Sequence, residues 1–220
     1  MTFDEFIDAL RAGEAASIAA AASFSPVDRS TALLAAVEFE NEAAALALLQ
    51  AGASPRYQDA GTLQSPLLLA VAHRSQTLVA ALLAAGAEVD VRDSTGMSPL
   101  LLAASRDEVD LVKQLIAGGA DLDLRSHQNG RAPLAPAAIK SPAVCATLLE
   151  ARADLETTDH NDSSPLSGAL LVNAYDCVEL LVTRGAFVPE DARAKLPAAQ
   201  KLLEAHTDAA EFERRAKVKP

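Results

Sequence analysis

The 220-residue sequence contains no tryptophan, two tyrosines and six phenylalanines, so aromatics make up only 4% of it. A core without large rings has to be assembled from small and aliphatic side chains, which brings backbones close together. Alanine fills the gap with 48 residues, and the hydrophobic fraction still reaches 50%. Because alanine is the best helix former, the composition points to an all-α protein and away from a sandwich or barrel. The apolar fraction also excludes a fully disordered chain. Two cysteines, Cys145 and Cys177, are too few for a disulfide framework, so a reducing compartment, the cytoplasm, is expected. No apolar run approaches the ~18 residues that a membrane span needs. Met1 to Leu10 is acidic and lacks the apolar centre of a secretory signal. Positive charge is scarce too: 19 Lys and Arg face 30 Asp and Glu, a net charge of -11. That balance favours solubility and disfavours non-specific nucleic-acid binding.

What is present in abundance is repetition. Thr31-Ala32-Leu33-Leu34, Ser65-Pro66-Leu67-Leu68, Ser98-Pro99-Leu100-Leu101, Ala132-Pro133-Leu134-Ala135 and Ser164-Pro165-Leu166-Ser167 start 34, 33, 34 and 32 residues apart. A second landmark keeps the same beat. Gly52-Ala53, Gly86-Ala87, Gly119-Ala120, Arg152-Ala153 and Gly185-Ala186 are spaced 34, 33, 33 and 33 residues apart, each preceded by a paired aliphatic such as Leu48-Leu49 or Leu115-Ile116. Two landmarks in register over five units mark a repeat architecture.

Each unit has a physical reading. Ser-Pro opens a helix, because the hydroxyl caps free N–H groups and proline suits the first turn. A short apolar helix follows, then a polar break such as Ser105 to Glu108, then a second helix with Val109, Val112, Leu115 and Ile116 at helical spacing. Gly119 supplies a left-handed cap. Asp121 to Leu124 alternates like a short extended arm, and Ser94-Thr95-Gly96 and Gln128-Asn129-Gly130 have turn chemistry.

Ser98-Pro99-Leu100 with Ala103-Ala104, Gly119-Ala120-Asp121-Leu122-Asp123 and Asp93-Ser94-Thr95-Gly96 together make the chain resemble the ankyrin repeat, over about Phe3 to Val188. The resemblance implies an all-α solenoid of stacked helix-turn-helix units with short β-hairpin loops. About five repeats are expected, at 31–64, 65–97, 98–131, 132–163 and 164–188. A capping helix pair is expected over 1–30, and capping helices with a charged tail over 189–220. The departures are specific. Leu101 stands where the family has histidine, and no unit carries that histidine. Asp162 replaces the usual hairpin glycine, Lys140-Ser141-Pro142 is about one residue short between helices, and the Asp59 to Gln64 hairpin is about one residue long. Ser126 reads as an insertion.

No chemistry-bearing constellation emerges. His73, His127, His160 and His206 have no metal-ligand spacing. Neither cysteine has a visible base, no glycine-rich phosphate loop occurs, and no triad is positioned. No catalytic residue, metal or cofactor is expected. The resemblance implies recognition of a protein through hairpin tips and exposed parts of first helices. On the hairpins this gives Leu63, Arg92, Met97, Arg125, Asn129, Arg131 and His160 as candidates. On the first helices it gives Phe39, His73, Arg106 and Lys140. Arg92, Arg106, Arg125, Arg131 and Lys140 make this subset basic within an acidic body, and arginine is a frequent interface anchor. The competing reading pairs these arginines with Asp59, Asp93, Asp107 or Asp123. Phe39 and Leu63 either anchor a partner or pack beneath the N-terminal cap and the long first hairpin. Leu171 and Val172 are expected under the C-terminal cap, with Tyr57 and Tyr175 structural. The expected role is a non-enzymatic protein-binding module, monomeric when free, acting as inhibitor or adaptor without nucleic-acid or membrane contact. An immunity protein neutralising a toxin enzyme is one alternative, and an enzyme or small-molecule accessory protein another.

Overall fold

A computed structural model of the chain describes residues 2–12 and 23–188, and the described residues form eleven α-helices without a strand. The expected second capping helix before Ala22 and the capping helices after Val188 lie outside the described residues. The helices are α1 (Phe3–Arg11), α2 (Pro26–Glu38), α3 (Glu42–Gln50), α4 (Pro66–Ala72), α5 (Gln76–Ala84), α6 (Pro99–Ser105), α7 (Val109–Ala117), α8 (Leu134–Lys140), α9 (Pro142–Glu150), α10 (Pro165–Leu171) and α11 (Tyr175–Thr183).

Both sequence landmarks become structure. The Ser65, Ser98 and Ser164 hydroxyls accept from the N–H groups of Leu68, Leu101 and Ser167, each at 3.2 Å. Ala132 cannot cap, and α8 begins one residue later than its counterparts, with no side-chain cap. At the other end, each second helix closes with the same pair of backbone bonds. Ala120 N–H reaches Leu115 O at 3.1 Å and Gly119 N–H reaches Ile116 O at 3.0 Å, and the other four units repeat the pattern. This double closure satisfies carbonyls that a helix end otherwise leaves open.

The repeated apolar positions are the core. Leu33, Leu67, Leu100, Leu134 and Leu166 of the first helices are buried, as are Leu48, Leu82, Leu115, Leu148 and Leu181 of the second. Between them Ala36, Ala70, Ala103, Ala137 and Ala169 have no exposed surface, and within each unit neighbouring first helices, α2 with α4 and α8 with α10, approach closely. The position of the missing histidine is filled by buried Leu68 and Leu101, an apolar replacement for a polar one. Cys145 and Cys177 are free and buried in this core. Burial, and secondarily the neighbouring Cys177, pushes the Cys145 thiol up to about 12. It is therefore a small inert hydrophobe.

The chain divides into two compact units, Met1–Ala103 with Asp110–Asp121, and Ala104–Val109 with Leu122–Pro220. In the first, α2 packs on α1, α3 and α4, and α5 packs on α3 and α4. In the second, α8 packs on α9 and α10, and α11 on α8, α9 and α10. Neighbouring repeats inside each unit are also tied by polar staples. Asp90 Oδ1 accepts from Asp121 N–H at 2.9 Å in the first unit. In the second, Asp123 Oδ1 accepts from Asp154 N–H at 2.9 Å and Glu156 Oε1 from Phe187 N–H at 2.7 Å.

Several details differ from the sequence reading. Helix α2 starts at Pro26 rather than near Thr31, because Ser25 caps it through Asp28 N–H at 3.2 Å. Only Ser141 separates α8 from α9, where three residues separate the other helix pairs of the repeats, and it takes an extended φ of -138° instead of a left-handed turn. Elsewhere that turn carries a left-handed residue: Glu40, Arg74, Asp107 or Asn173. Tyr175 is exposed, as are Leu171 and Val172. Tyr175 stands at the first position of α11, at the end of the helix rather than on its buried face, and its hydroxyl donates to Asn173 Oδ1 at 3.3 Å.

Candidate partner-binding surface

The hairpins are closed loops whose first residues fall in register at Asp59, Asp93, Ser126 and Asp159. Asp93 N–H bonds Met97 O at 3.1 Å and Asp159 N–H bonds Ser163 O at 3.1 Å. Asp59 N–H instead reaches Gln64 O at 2.9 Å and Ser126 N–H reaches Arg131 O at 3.0 Å, so these two loops are one residue longer. Ser126 is therefore not the insertion; it occupies the aspartate position, and the extra residue lies between it and Arg131.

The aspartates organise their own loops. Asp59 Oδ1 accepts from Gly61 N–H at 3.1 Å, Thr62 N–H at 2.7 Å and the Thr62 hydroxyl at 2.8 Å, with the Thr62 N–H bond the main cause of its lowered pKa. Asp93 Oδ1 accepts from Thr95 and Met97 N–H. Asp107 accepts from the Ser141 hydroxyl. Asp123 caps Asp154. Asp159 meets the candidate Arg131. Its Oδ2 lies 3.3 Å from Arg131 Nε, and its Oδ1 accepts from Asn161 and Ser163 N–H at 2.9 and 3.1 Å. Burial works against the Asp159 charge, but these N–H groups and Arg131 outweigh it and hold the carboxyl below its ordinary value.

The second unit joins four candidates in one construction. Arg125 Nε donates to Gly130 O at 2.8 Å. Asn129 Oδ1 accepts from the Ser126 hydroxyl at 2.6 Å and from Arg131 N–H at 3.0 Å. His160 N–H crosses to the preceding loop and donates to Asn129 O at 2.9 Å. Gly130 adopts φ +71°, and a Cβ added there would lie 2.3 Å from His160 Cδ2. The 126–131 and 159–163 loops are thus locked against each other. Arg125, Asn129 and His160 stay exposed, and Arg131 is 42% exposed along its side chain. Asp162 takes the left-handed φ of 56° that glycine usually supplies, a conformation that aspartate tolerates better than most residues.

The remaining candidates are placed separately. Lys140 is exposed and its Nζ reaches Ser105 O at 3.3 Å; Arg106 is exposed in the turn after α6. In the first unit the Arg11 guanidinium lies 4.9 Å over the Phe39 ring, which half-buries it beside α1. His73 Nδ1 lies 3.3 Å from Glu40 Oε1 across adjacent interhelical turns, lining a groove of about 450 Å³ with Glu42 and Ser75. Leu63 is exposed at a left-handed φ of 54°. Arg92 and Met97 are half-buried, with Gln58 Nε2 donating to Arg92 O at 2.7 Å. The sequence reading missed Asp159, although its register with Asp93 pointed to it.

Among the described residues no group of three or more His, Cys, Asp or Glu is placed to hold a metal ion, and no helix is long and apolar enough to cross a membrane. Residues 33–126, 67–159 and 100–191 each match the family model described as ankyrin repeats (3 copies). No curated protein matches the chain.

Proposed function

The chain belongs to the ankyrin-repeat family, and from that premise we propose that it binds a protein partner through the locked hairpin loops of its second unit, as an inhibitor or adaptor. Ankyrin repeats generally mediate protein–protein interactions and are typically non-enzymatic. The single observation that carries the reading is the interlocking of Arg125, Asn129, Gly130 and Arg131 with Asp159 and His160. Exposed loops ordinarily lose conformational entropy on binding, and a loop already held by its neighbour loses less. A rigid, exposed, arginine-bearing surface on a packed scaffold is where partner contacts concentrate.

Affinity capture with the full chain tests this, followed by size-exclusion chromatography of the purified pair. A stoichiometric complex that is lost with Arg125→Glu and Arg131→Glu, at unchanged helical circular dichroism, is the expected result. A complex indifferent to both substitutions, and to His160→Ala, refutes the assignment of this surface. Assaying the captured protein alone and in complex then separates inhibition from bridging.

A further inference from the structure

The 126–131 loop of the second unit is asymmetric in its hydrogen bonding. Four of its carbonyls are already taken: Ser126 O by Gly130 N–H at 3.0 Å, Asn129 O by His160 N–H, Gly130 O by Arg125 Nε and Arg131 O by Ser126 N–H. The Asn129 side-chain oxygen is taken twice. The donors are not. Arg125 and Arg131 each commit only Nε to the protein. Their Nη1 and Nη2 atoms, together with Asn129 Nδ2, have no hydrogen-bond partner among the described residues. Arg125 directly precedes the Ser126–Arg131 closure and Arg131 ends it, so both arginines belong to the loop base. Bonding through Nε leaves the two-nitrogen edge of each guanidinium uncommitted among the described residues, the edge whose geometry meets two oxygens of one planar acid.

Around the two arginines the carbonyls of Ser126, Asn129, Gly130 and Arg131 are occupied and the guanidinium Nη donors are not, so this part of the loop selects a ligand made of acceptors. We propose that this loop recognises side-chain carboxylates of an aspartate- or glutamate-rich segment of the partner. The inference rests on the preceding reading and specifies its chemistry. Carboxylate fits better than phosphate for two reasons. The chain carries a net charge of -11, and Asp159 already sits on Arg131 with exposed Asp162 in the same neighbouring loop. A dianion meets more repulsion there than a single negative charge. Nucleic acid is disfavoured on the same ground. Short-range forks rather than long-range attraction then carry the affinity, so arginine geometry matters beyond charge.

The test titrates the full chain with a fluorescently labelled Glu-rich peptide, its Gln counterpart and its phosphoserine counterpart, read by anisotropy. Binding of the Glu peptide, none of the Gln peptide and weaker binding of the phosphoserine peptide are expected. Arg125→Lys and Arg131→Lys keep the charge and lose the fork; each should weaken Glu-peptide binding about tenfold or more. Both variants also lose an Nε bond of the loops, Arg125→Lys to Gly130 O and Arg131→Lys to Asp159, so a urea melt of each, unchanged where binding falls, separates recognition from folding. Absent Glu-peptide binding, tighter phosphoserine binding, or wild-type affinity in both lysine variants overturns the proposal. If the captured partner is nevertheless lost with Arg125→Glu, the protein-binding reading stands while the carboxylate chemistry fails. If neither peptide nor partner responds to any loop variant, both fall.

Discussion

Gly130→Ala tests the interlock directly, because its cost has two separable parts. The first is conformational. Gly130 sits at φ +71°, and an L-residue in that region costs about 1–2 kcal/mol, part of it returned by a stiffer unfolded chain. Gly119→Ala measures this part alone, since Gly119 has φ +87° and open space for an added methyl: nothing lies within 4 Å. About 1 kcal/mol is expected there. The second part is steric. The methyl introduced by Gly130→Ala would lie 2.3 Å from His160 Cδ2, 2.8 Å from His160 Nε2 and 3.0 Å from His160 N. Ordinary carbon contacts lie near ~3.5–4.0 Å. The exposed ring can swing aside, but the backbone nitrogen can move only by stretching its 2.9 Å bond to Asn129 O, which is worth about 1 kcal/mol.

Gly130→Ala should therefore cost about 2–3 kcal/mol in all. Urea melts followed by far-UV circular dichroism give the value, and thermal melts should fall by about 5–10 °C. His160→Ala alone, at an exposed ring, should stay within about 0.5 kcal/mol of wild type. The double variant should recover about 0.5–1 kcal/mol relative to the sum of the singles, because the ring contact vanishes while the backbone contact persists. Equal losses for Gly130→Ala and Gly119→Ala, or strict additivity in the cycle, would refute the claim that the two loops are held in contact.

Three further outcomes follow from single residues. Arg152 occupies the cap position that is glycine in the other four units, at φ 72°; Arg152→Gly should add about 0.5–1 kcal/mol of stability in the same urea melts, and a loss contradicts the strain. The Cys145 thiol, buried and pushed up from an ordinary 9.0 to about 12, keeps its proton when folded and loses it near the ordinary value when unfolded. Its contribution to stability is complete below about 9 and is lost as pH rises toward 12. Melts across that range should fall more steeply for wild type than for Cys145→Val, and a thiol reagent should label neither cysteine rapidly before unfolding. Asp159 runs the opposite way. Its lowered pKa means that its stabilisation is present above the ordinary carboxylate range and lost as pH falls through the folded value. Asp159→Asn should flatten the acid limb, and Asp159→Ala should cost about 1–3 kcal/mol at neutral pH by orphaning two N–H groups and Arg131.

What could be read in advance was whatever repeats. Pro-Leu and Gly-Ala recur because each unit must bury the same leucine, pack the same alanine and close the same helix end; Leu67 and Leu100, or Ala70 and Ala103, are equivalent for that reason. Features that occur once leave no beat to detect. The start of α2 hinged on Ser25-Pro26, which lies outside the register of the other openings. The cover over Phe39 comes from Arg11, 28 residues upstream by number and visible only once α1 packs on α2. Composition identified the arginine-bearing loops but not their partners: the acid on Arg131 is Asp159, in the next repeat, rather than one of the nearer aspartates.

The same distinction bears on where specificity resides. Positions fixed by the repeat are already committed to the core, so a change there alters stability before it alters recognition. Recognition has to come from residues free to differ between units, and the second unit concentrates such differences. Its loop at 126–131 is one residue longer than the loop at 159–163, serine replaces the organising aspartate at 126, and its glycine accepts the next loop's histidine against it. Losing the loop carboxylate removes a negative charge from between Arg125 and Arg131, while the longer loop provides the carbonyl of Gly130 that holds Arg125 in place. Restoring the aspartate as Ser126→Asp should therefore keep the fold and weaken any acidic ligand, by occupying or repelling the same guanidinium edges. Ser126→Thr, which retains the hydroxyl, should not weaken it. A Ser126→Asp chain that melts normally and binds an acidic peptide as well as wild type would place recognition elsewhere on the molecule.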